Sequence, residues 1–478
     1  MQNELSLKDQ KRRHAILNGN LYKTVLVLSI PLAVYSLFNF LYTFIDMILV
    51  ANIGSSHVNS VVFIDQIKSA ISAFGMAIAA SGTVIVARHY GASEIELARK
   101  NAGSTFVLSV VISTIVALIT VVFGRQILTL AGATTEIIDT GLGYYNIQMI
   151  STTLIAVNSV FIGLEKAKGN TKIVLMLNLI VMVVKLVLSI LFVYAFDGTV
   201  TDLATATLIA QLSLMIVAIF IMFNKKNVFR IKFNEIRLKK EFIVPIIVLA
   251  LPIFFGKFLF SIGKVSINGL ALKYDPYAVG ALGVAMNIHG MFSAVATVFE
   301  ESEVSIISQN LGNKNLSRAI KTFKISFIYL LVVSILGILI LSFTYEGLIP
   351  LFSSNKAGEE LTPHQIEMIK VMFKWEKYSL LTSPALGLIT GLFVAFKKTQ
   401  VTFILNIVRV FVFRLPVLYL FYKFTKMNYE AVGITMFISN TATFIVGGIV
   451  YLIFIRNLKH YGYQKMTFDE LKLENVES

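Results

Sequence analysis

The chain has 478 residues, 56% of them hydrophobic and only 14% charged, with a mean hydropathy of +0.77. Soluble domains carry nearer a quarter charged residues, so a soluble fold is excluded and an all-α integral membrane protein is implied. Cysteine is absent, which rules out disulfides and thiolate metal centres. No His/carboxylate grouping has ligand spacing, so no metal site is expected.

Residues 1–23 are polar and basic and read as a cytoplasmic segment. Thr24 then opens a full-length apolar span, which is expected to target the chain in place of a cleavable signal. Six spans follow, close to Thr24–Val50, Val58–Ala87, Asn101–Phe123, Gly141–Gly163, Ile173–Phe196 and Leu203–Phe223. The basic segment 224–241 separates them from six more, near Phe242–Leu272, Tyr277–Ile307, Ala319–Phe343, Ile369–Val394, Val401–Tyr422 and Ala431–Ile455. Each is long enough to cross ~30 Å of hydrocarbon. The organisation is therefore an N-lobe at 24–223, a linker at 224–241, a C-lobe at 242–455 and a charged cytoplasmic tail at 456–478.

The net charge of +15 follows this topology. With the amino terminus inside, the inner segments hold 26 Lys/Arg and the outer loops five (Arg125, Lys273, Lys356, Lys423, Lys426). That is the positive-inside pattern, with both termini cytoplasmic, and it accounts for the charge without a nucleic-acid partner.

The second half repeats the first. Leu28-Ser29-Ile30-Pro31 returns as Leu249-Ala250-Leu251-Pro252, and Gly91 with Ala98 returns as Gly312 with Ala319, all at an offset of 221. Gly163, Ala167, Thr171 and Asn178 return as Gly391, Ala395, Thr399 and Asn406 at an offset of 228. An insertion within Glu346 to Glu367 explains the slip of seven. Six spans per copy make the repeats parallel in topology, with cargo expected between the two bundles. Pro31 and Pro252 each fall inside the first span of a lobe, where a proline frees backbone groups and permits bending.

Charges inside spans cost about 2.5–3.5 kcal/mol each on insertion scales, yet Asp46, Asp65, Lys68, Lys185, Lys257, Lys264, Glu300, Glu301, Glu303, Arg409 and Arg414 all lie there. They are expected to face an aqueous cavity or pair with one another. Asn39, Thr43 and Asp46 share one face of span 1, and Asp46 is the leading candidate to bind a proton or alkali cation. Asn178, Lys185 and Ser189 share a face of span 5, as do Lys257, Ser261, Lys264 and Asn268 of span 7. Glu300, Glu301 and Glu303 form the densest acidic cluster, roughly mid-membrane, where Lys257 or Lys264 offers a salt-bridge partner. Asp65 and Lys68, three apart, can pair within the helix. Arg409 and Arg414, five apart, are expected to diverge on theirs; either could hold a span-8 carboxylate or an anionic cargo group. Tyr144, Tyr145, Gln148 and Asn158 read as packing.

The repeated loop Ala87-Arg88-His89-Tyr90-Gly91-Ala92 with Ala98-Arg99, answered by Ser308-Gln309-Asn310-Leu311-Gly312 with Arg318-Ala319, resembles that of the multidrug and toxic compound extrusion (MATE) transporters. Lys166-Ala167-Lys168-Gly169-Asn170-Thr171-Lys172 and the interval from Pro31 to Asp46 are similar to the family's bacterial members. The resemblance covers essentially the whole chain. It implies a V-shaped pair of six-helix lobes in a bacterial plasma membrane, exporting small organic compounds against inward protons or sodium, with no other cofactor. It makes Asp46 the coupling carboxylate, Pro31 the bending point and Asn178 a fifth-span companion. The chain departs from the pattern in carrying Lys185 where many relatives have an acid, so an Asp46–Lys185 pair is expected. The span-8 acids Glu300 and Glu303 would then form a second acidic site. Glu301, Lys257, Lys264, Arg409, Arg414, Asn39 and Thr43 are expected to line the substrate cavity. A monomer acting on a small organic substrate within the bilayer is expected, not an enzyme: there is no nucleophile–base pair or phosphate loop. The alternative is a flippase or exporter of an anionic or lipid-linked glycan or peptide product, held in a cationic cavity.

Overall fold

A computed structural model describes residues 5–53, 55–232, 236, 239–352 and 361–474. Helices dominate, as they must where lipid offers no partner to an open backbone group. A short helix, Leu7–Leu17, precedes the first span and is capped by Ser6, whose hydroxyl accepts from the Asp9 amide. Spans 1 to 6 are Leu21–Ile53, Ser55–Gly91, Ile95–Val122, Thr135–Ala167, Thr171–Ile190 (extended by a π-helical turn at Leu191–Ala195) and Val200–Phe223. Spans 7 to 9 are Lys240–Ala271, Ala278–Gly312 and Leu316–Leu348. Span 10 is broken into Pro363–Glu376 and Ser379–Ala395, bent by 49°. Span 11 runs as Thr399–Ile407, a π-helical turn Val408–Val412 and Leu415–Phe424, and the last helix is Glu430–Glu474. Counting the bent pair as one span gives twelve crossings. Both Pro31 and Pro252 lie within unbroken helices, with Pro245 a further proline in span 7.

The duplication is visible atom by atom. The turn after span 2 places Ser93 at φ 69° and the turn after span 8 places Lys314 at φ 56°, 221 residues later. Gly169 (φ 74°) after span 4 answers Lys397 (φ 59°) after span 10 at the offset of 228. The Asn178 amide donates to the Val174 carbonyl at 2.8 Å and the Asn406 amide to that of Thr402 at 3.1 Å. Thr134 and Thr362 cap spans 4 and 10 in the same way, already at 228. The inserted residues therefore precede Thr362, in a stretch that includes 353–360, outside the described residues.

The lobes meet along two apolar seams that are copies of each other. Val25, Leu28 and Leu32 of span 1 join Val298, Phe299 and Ile306 of span 8 in one buried cluster. Their equivalents at 221, Ile246, Leu249 and Ile253 of span 7, join Ala77, Ile78 and Ile85 of span 2 in another. Phe74 meets Phe254 edge-on at 4.8 Å beside the second seam, and Ser29 bonds Ser302 at 2.6 Å within the first. Lipid tails are as apolar as these side chains, so close packing and hydrogen bonds, rather than escape from water, hold the seams.

The end that carries Leu7–Leu17 is sealed by polar contacts between the lobes. Arg88 donates to the Ala395 carbonyl at 3.0 Å, and its repeat partner Gln309 donates to the Ala167 carbonyl at 2.6 Å. Arg318 donates to the carbonyls of Ala15, Ile16 and Gly19. Lys166 pairs with Glu301 at 2.6 Å, and Ser305 donates to the Lys166 carbonyl.

Candidate functional site

In the N-lobe the structure brings Asp46 of span 1 to Lys185 of span 5, with Nζ 3.1 Å from Oδ2. Tyr42, one turn before Asp46, donates to its Oδ1 at 2.9 Å. The Lys185 ammonium also lies 4.6 Å from the centre of the Tyr42 ring. One carboxylate thus receives two donors from two helices, and the ammonium is supported on an aromatic face. Asn178 stays out of this pair, since its amide is satisfied inside its own helix. Asn39 and Thr43 are exposed on span 1, with the Thr43 hydroxyl bonded to the Asn39 carbonyl.

A second pair stands beside the first. Lys68 meets Asp65 at 2.8 Å within span 2 and donates to Gln148 of span 4 at 3.3 Å. Tyr144, one turn from Gln148, donates to Asp65 at 3.2 Å. Both Asp65 and Lys68 lie near enough to act on the Lys185 charge. Tyr144 and Gln148 therefore belong to the polar network, not to packing alone. Tyr145 instead bonds the Thr120 carbonyl, and Asn158 bonds Gln211. The signal that could have separated them is the i, i+4 spacing of Tyr144 and Gln148, which gives them one face.

The three span-8 acids part company. Glu301 is half exposed and committed to Lys166 of the opposite lobe, so it serves the seal between lobes and not a substrate wall. Glu300 faces span 10, and Lys257 of span 7 lies near enough to act on its charge. Glu303 is fully buried, and neither of its carboxyl oxygens has a hydrogen-bond partner among the described residues. Two glycines one turn apart make room for this pair. A Cβ on Gly387 would lie 2.6 Å from a Glu300 oxygen, and one on Gly391 would lie 3.2 Å from a Glu303 oxygen.

In the C-lobe the expectation that Arg409 and Arg414 diverge is overturned. At about 100° per residue an α-helix would set them roughly 140° apart. The π-helical turn at Val408–Val412, closed by the Phe413 amide on the Val408 carbonyl at 3.0 Å, widens the turn between them. Both guanidinium groups consequently reach the side-chain Oδ1 of Asn440 in span 12. Arg409 also donates to Ser383 at 3.0 Å and Arg414 to Ser439 at 2.9 Å. Neither holds a span-8 carboxylate. The Asn440 amide donates to Ser379, which donates to Glu376, and Glu376 lies 3.9 Å from His289. Ser379 and Glu376 flank the break in span 10. Under the repeat offsets, His289 and Glu376 occupy the places of Lys68 and Gln148 in the N-lobe. Lys264 of span 7 is exposed and has no ion-pair partner among the described residues.

The arrangement is that of two homologous bundles, with intramembrane ion pairs Asp46–Lys185 and Asp65–Lys68 in one lobe and, among the described residues, Glu303, Arg409 and Arg414 without an ion-pair partner in the other. A Staphylococcus saprophyticus multidrug export protein MepA is 21% identical over 378 residues, covering 79% of this chain and 82% of that protein. The Staphylococcus haemolyticus protein of the same name is 22% identical over 382 residues, with 79% and 82% covered. Among solved structures, an outward-facing conformation of a multidrug resistance MATE family transporter of the MOP superfamily matches with a TM-score of 0.88. It shares 19% identity and covers 95% of this chain and 99% of that one. The MatE family profile matches twice, over residues 31–191 and 252–420, once on each repeat. With more than half of its length so matched, the chain belongs to the MatE family of membrane transporters.

Proposed function

We propose that the chain exports small organic compounds from a bacterial cytoplasm by antiport against inward-moving cations, with both termini cytoplasmic and no cofactor beyond the coupling ion. The observation that carries this reading is the Asp46–Lys185 pair, 3.1 Å apart across spans 1 and 5. Protonation of Asp46 removes the charge that holds Lys185, so the pair opens and the two helices lose a tie that biases one lobe arrangement over another. The multidrug export named in the MepA relatives fits this scheme.

The chemistry of the pair favours a proton over sodium. An alkali cation wants a cage of oxygens, whereas here an ammonium already occupies one side of the carboxylate. Glu303 supports the same choice: a carboxyl buried without a partner costs several kcal/mol as the anion and far less as the neutral acid. The flippase alternative, which needs a cationic cavity, is less favoured by the lysines that face acids. Lys68 and Lys185 are paired with acids, and Lys257 lies by Glu300.

The test is accumulation of a fluorescent cationic dye in inside-out vesicles under an imposed proton gradient. The parent chain should accumulate dye in proportion to the gradient, and Asp46→Asn should lose at least about tenfold of that rate at normal expression. Undiminished gradient-driven uptake by Asp46→Asn would remove Asp46 from coupling. A rate that follows sodium and ignores the proton gradient would reverse the choice of ion.

A further inference from the structure

Three cations in the C-lobe crowd a single aromatic ring. The guanidinium carbons of Arg409 and Arg414 lie 5.1 and 5.7 Å from the centre of Phe260, and the Lys264 ammonium lies 5.1 Å from it. None of the three makes an ion pair with a carboxylate among the described residues. Glu376 of span 10 is the acid whose charge reaches the two arginines, and it is already committed to Ser379 and faces His289. Three like charges so close in a membrane interior repel strongly, and one distant acid does not balance them.

The arginines are also held still. Asn440 accepts from both, Ser383 and Ser439 fix one each, and Ser379 fixes Asn440. These bonds use the Nε and Nη2 groups. The Nη1 group of each arginine makes no hydrogen bond among the described residues; Arg414 is buried and Arg409 part-buried. Two oriented guanidinium edges and an exposed ammonium therefore share a region with donors to spare.

We propose that Arg409, Arg414 and Lys264 around Phe260 form an oxyanion-binding subsite that takes the carboxylate or phosphate of an amphiphile. An oxyanion supplies the missing charge and accepts from planar guanidinium edges in their preferred geometry. The Phe260 ring gives the ligand's apolar body a wall. The site rests on the export reading and deepens it, naming anionic or zwitterionic amphiphiles as a class of cargo. Its test is binding rather than transport, so failure of the subsite and failure of the export reading are distinguishable.

The experiment is calorimetric titration of the purified full chain in neutral detergent with 4-phenylbutyrate and with its uncharged amide. The acid should bind about tenfold or more tightly than the amide, as a charge-assisted hydrogen bond implies. Lys264→Gln, which removes an exposed side chain with no hydrogen bond among the described residues, should erase most of that difference, and Arg409→Gln should do the same. Displacement of the acid by phosphatidylglycerol in mixed micelles would assign the oxyanion to a lipid headgroup, and failure to displace would assign it to soluble cargo. Both outcomes support the subsite. Equal affinity for acid and amide would overturn it, as would a preference left intact by Lys264→Gln. If Arg409→Gln does not fold, Lys264→Gln decides alone.

Discussion

Gly91 and Gly312, 221 residues apart, each seat the end of the other's helix. A Cβ at Gly91 would fall on the Gln309 carbonyl oxygen, and one at Gly312 would fall on the Arg88 carbonyl oxygen. Gln309 and Arg88 are themselves repeat partners, so the seal between lobes is a reciprocal contact about the pseudo-twofold axis. The backbones approach as closely as glycine allows, which suits a membrane interface held by packing.

Gly312→Ala should therefore force the seal apart at a cost of about 1–3 kcal/mol, the usual range for overpacking. The chain has no cysteine of its own, which makes a reporter simple. Ser308 is fully buried beside Gln309, and a Ser308→Cys background should react with maleimide at least about fivefold faster once Gly312→Ala is added. Unchanged labelling would show that the lobes absorb a methyl group without parting.

The Lys166–Glu301 pair should tune the same equilibrium more gently. It joins the lobes at 2.6 Å, but the Glu301 side chain is half exposed, and exposed pairs contribute about 0.2–1 kcal/mol. Lys166→Glu should shift the population of sealed molecules by up to about fivefold, and the swapped pair Lys166→Glu with Glu301→Lys should restore it. Labelling of the Ser308→Cys reporter across that double-mutant cycle checks the claim. No recovery in the swap would mean that the bond from Ser305 to the Lys166 carbonyl, and not the charge, carries the contact.

Much of this architecture is legible in the residues alone, and the reason differs by feature. The spans show because each is a long apolar run, and the duplication shows because Pro31, Gly91 and Gly163 return at fixed offsets. Asp65 with Lys68 is readable because both lie on one turn of one helix. The convergence of Arg409 and Arg414 is not, because nothing in Val408–Val412 distinguishes a π-helical turn from an α-helical one before Asn440 is in place. The break after Glu376 is equally silent, since an apolar run looks the same bent or straight. Lys166 with Glu301 depends on the register between lobes, to which local patterning is blind, so Glu301 reads as a cavity acid until its partner is seen.

Outside the membrane, the loop between spans 7 and 8 is tied to the start of span 10. Asp275 accepts from the Tyr277 amide at 2.8 Å and meets His364 Nε2 at 2.8 Å. Burial pushes the Asp275 carboxyl up, but the His364 and Tyr277 hydrogen bonds outweigh it and hold the group below its ordinary value. A depressed carboxyl stabilises the fold above its unfolded pKa, about 3.9, and that contribution disappears as pH falls through the folded value. Asp275→Asn should thus melt below the parent at neutral pH, and the two curves should converge below about pH 4. Parallel curves down to pH 3 would deny the carboxylate any part in the tie.

Glu303 offers the sharpest separation of structure from function. Its side chain is sealed at the span-8/span-10 contact with Gly391 opposite and no hydrogen-bond partner among the described residues. The ionisable groups around it are Glu300 on its own helix and Tyr451 on span 12, with Lys257 of span 7 acting on Glu300. Glutamine matches the neutral acid in shape, so Glu303→Gln should leave the melting temperature within a few degrees of the parent, whereas Glu303→Asp should shift it further by leaving a gap. If Glu303 carries a proton through the cycle, Glu303→Gln should also flatten the pH dependence of dye export and lower its rate by about tenfold. A stable Glu303→Gln chain with the parent's pH profile would confine the carboxyl to packing and leave Asp46 as the proton carrier of the scheme.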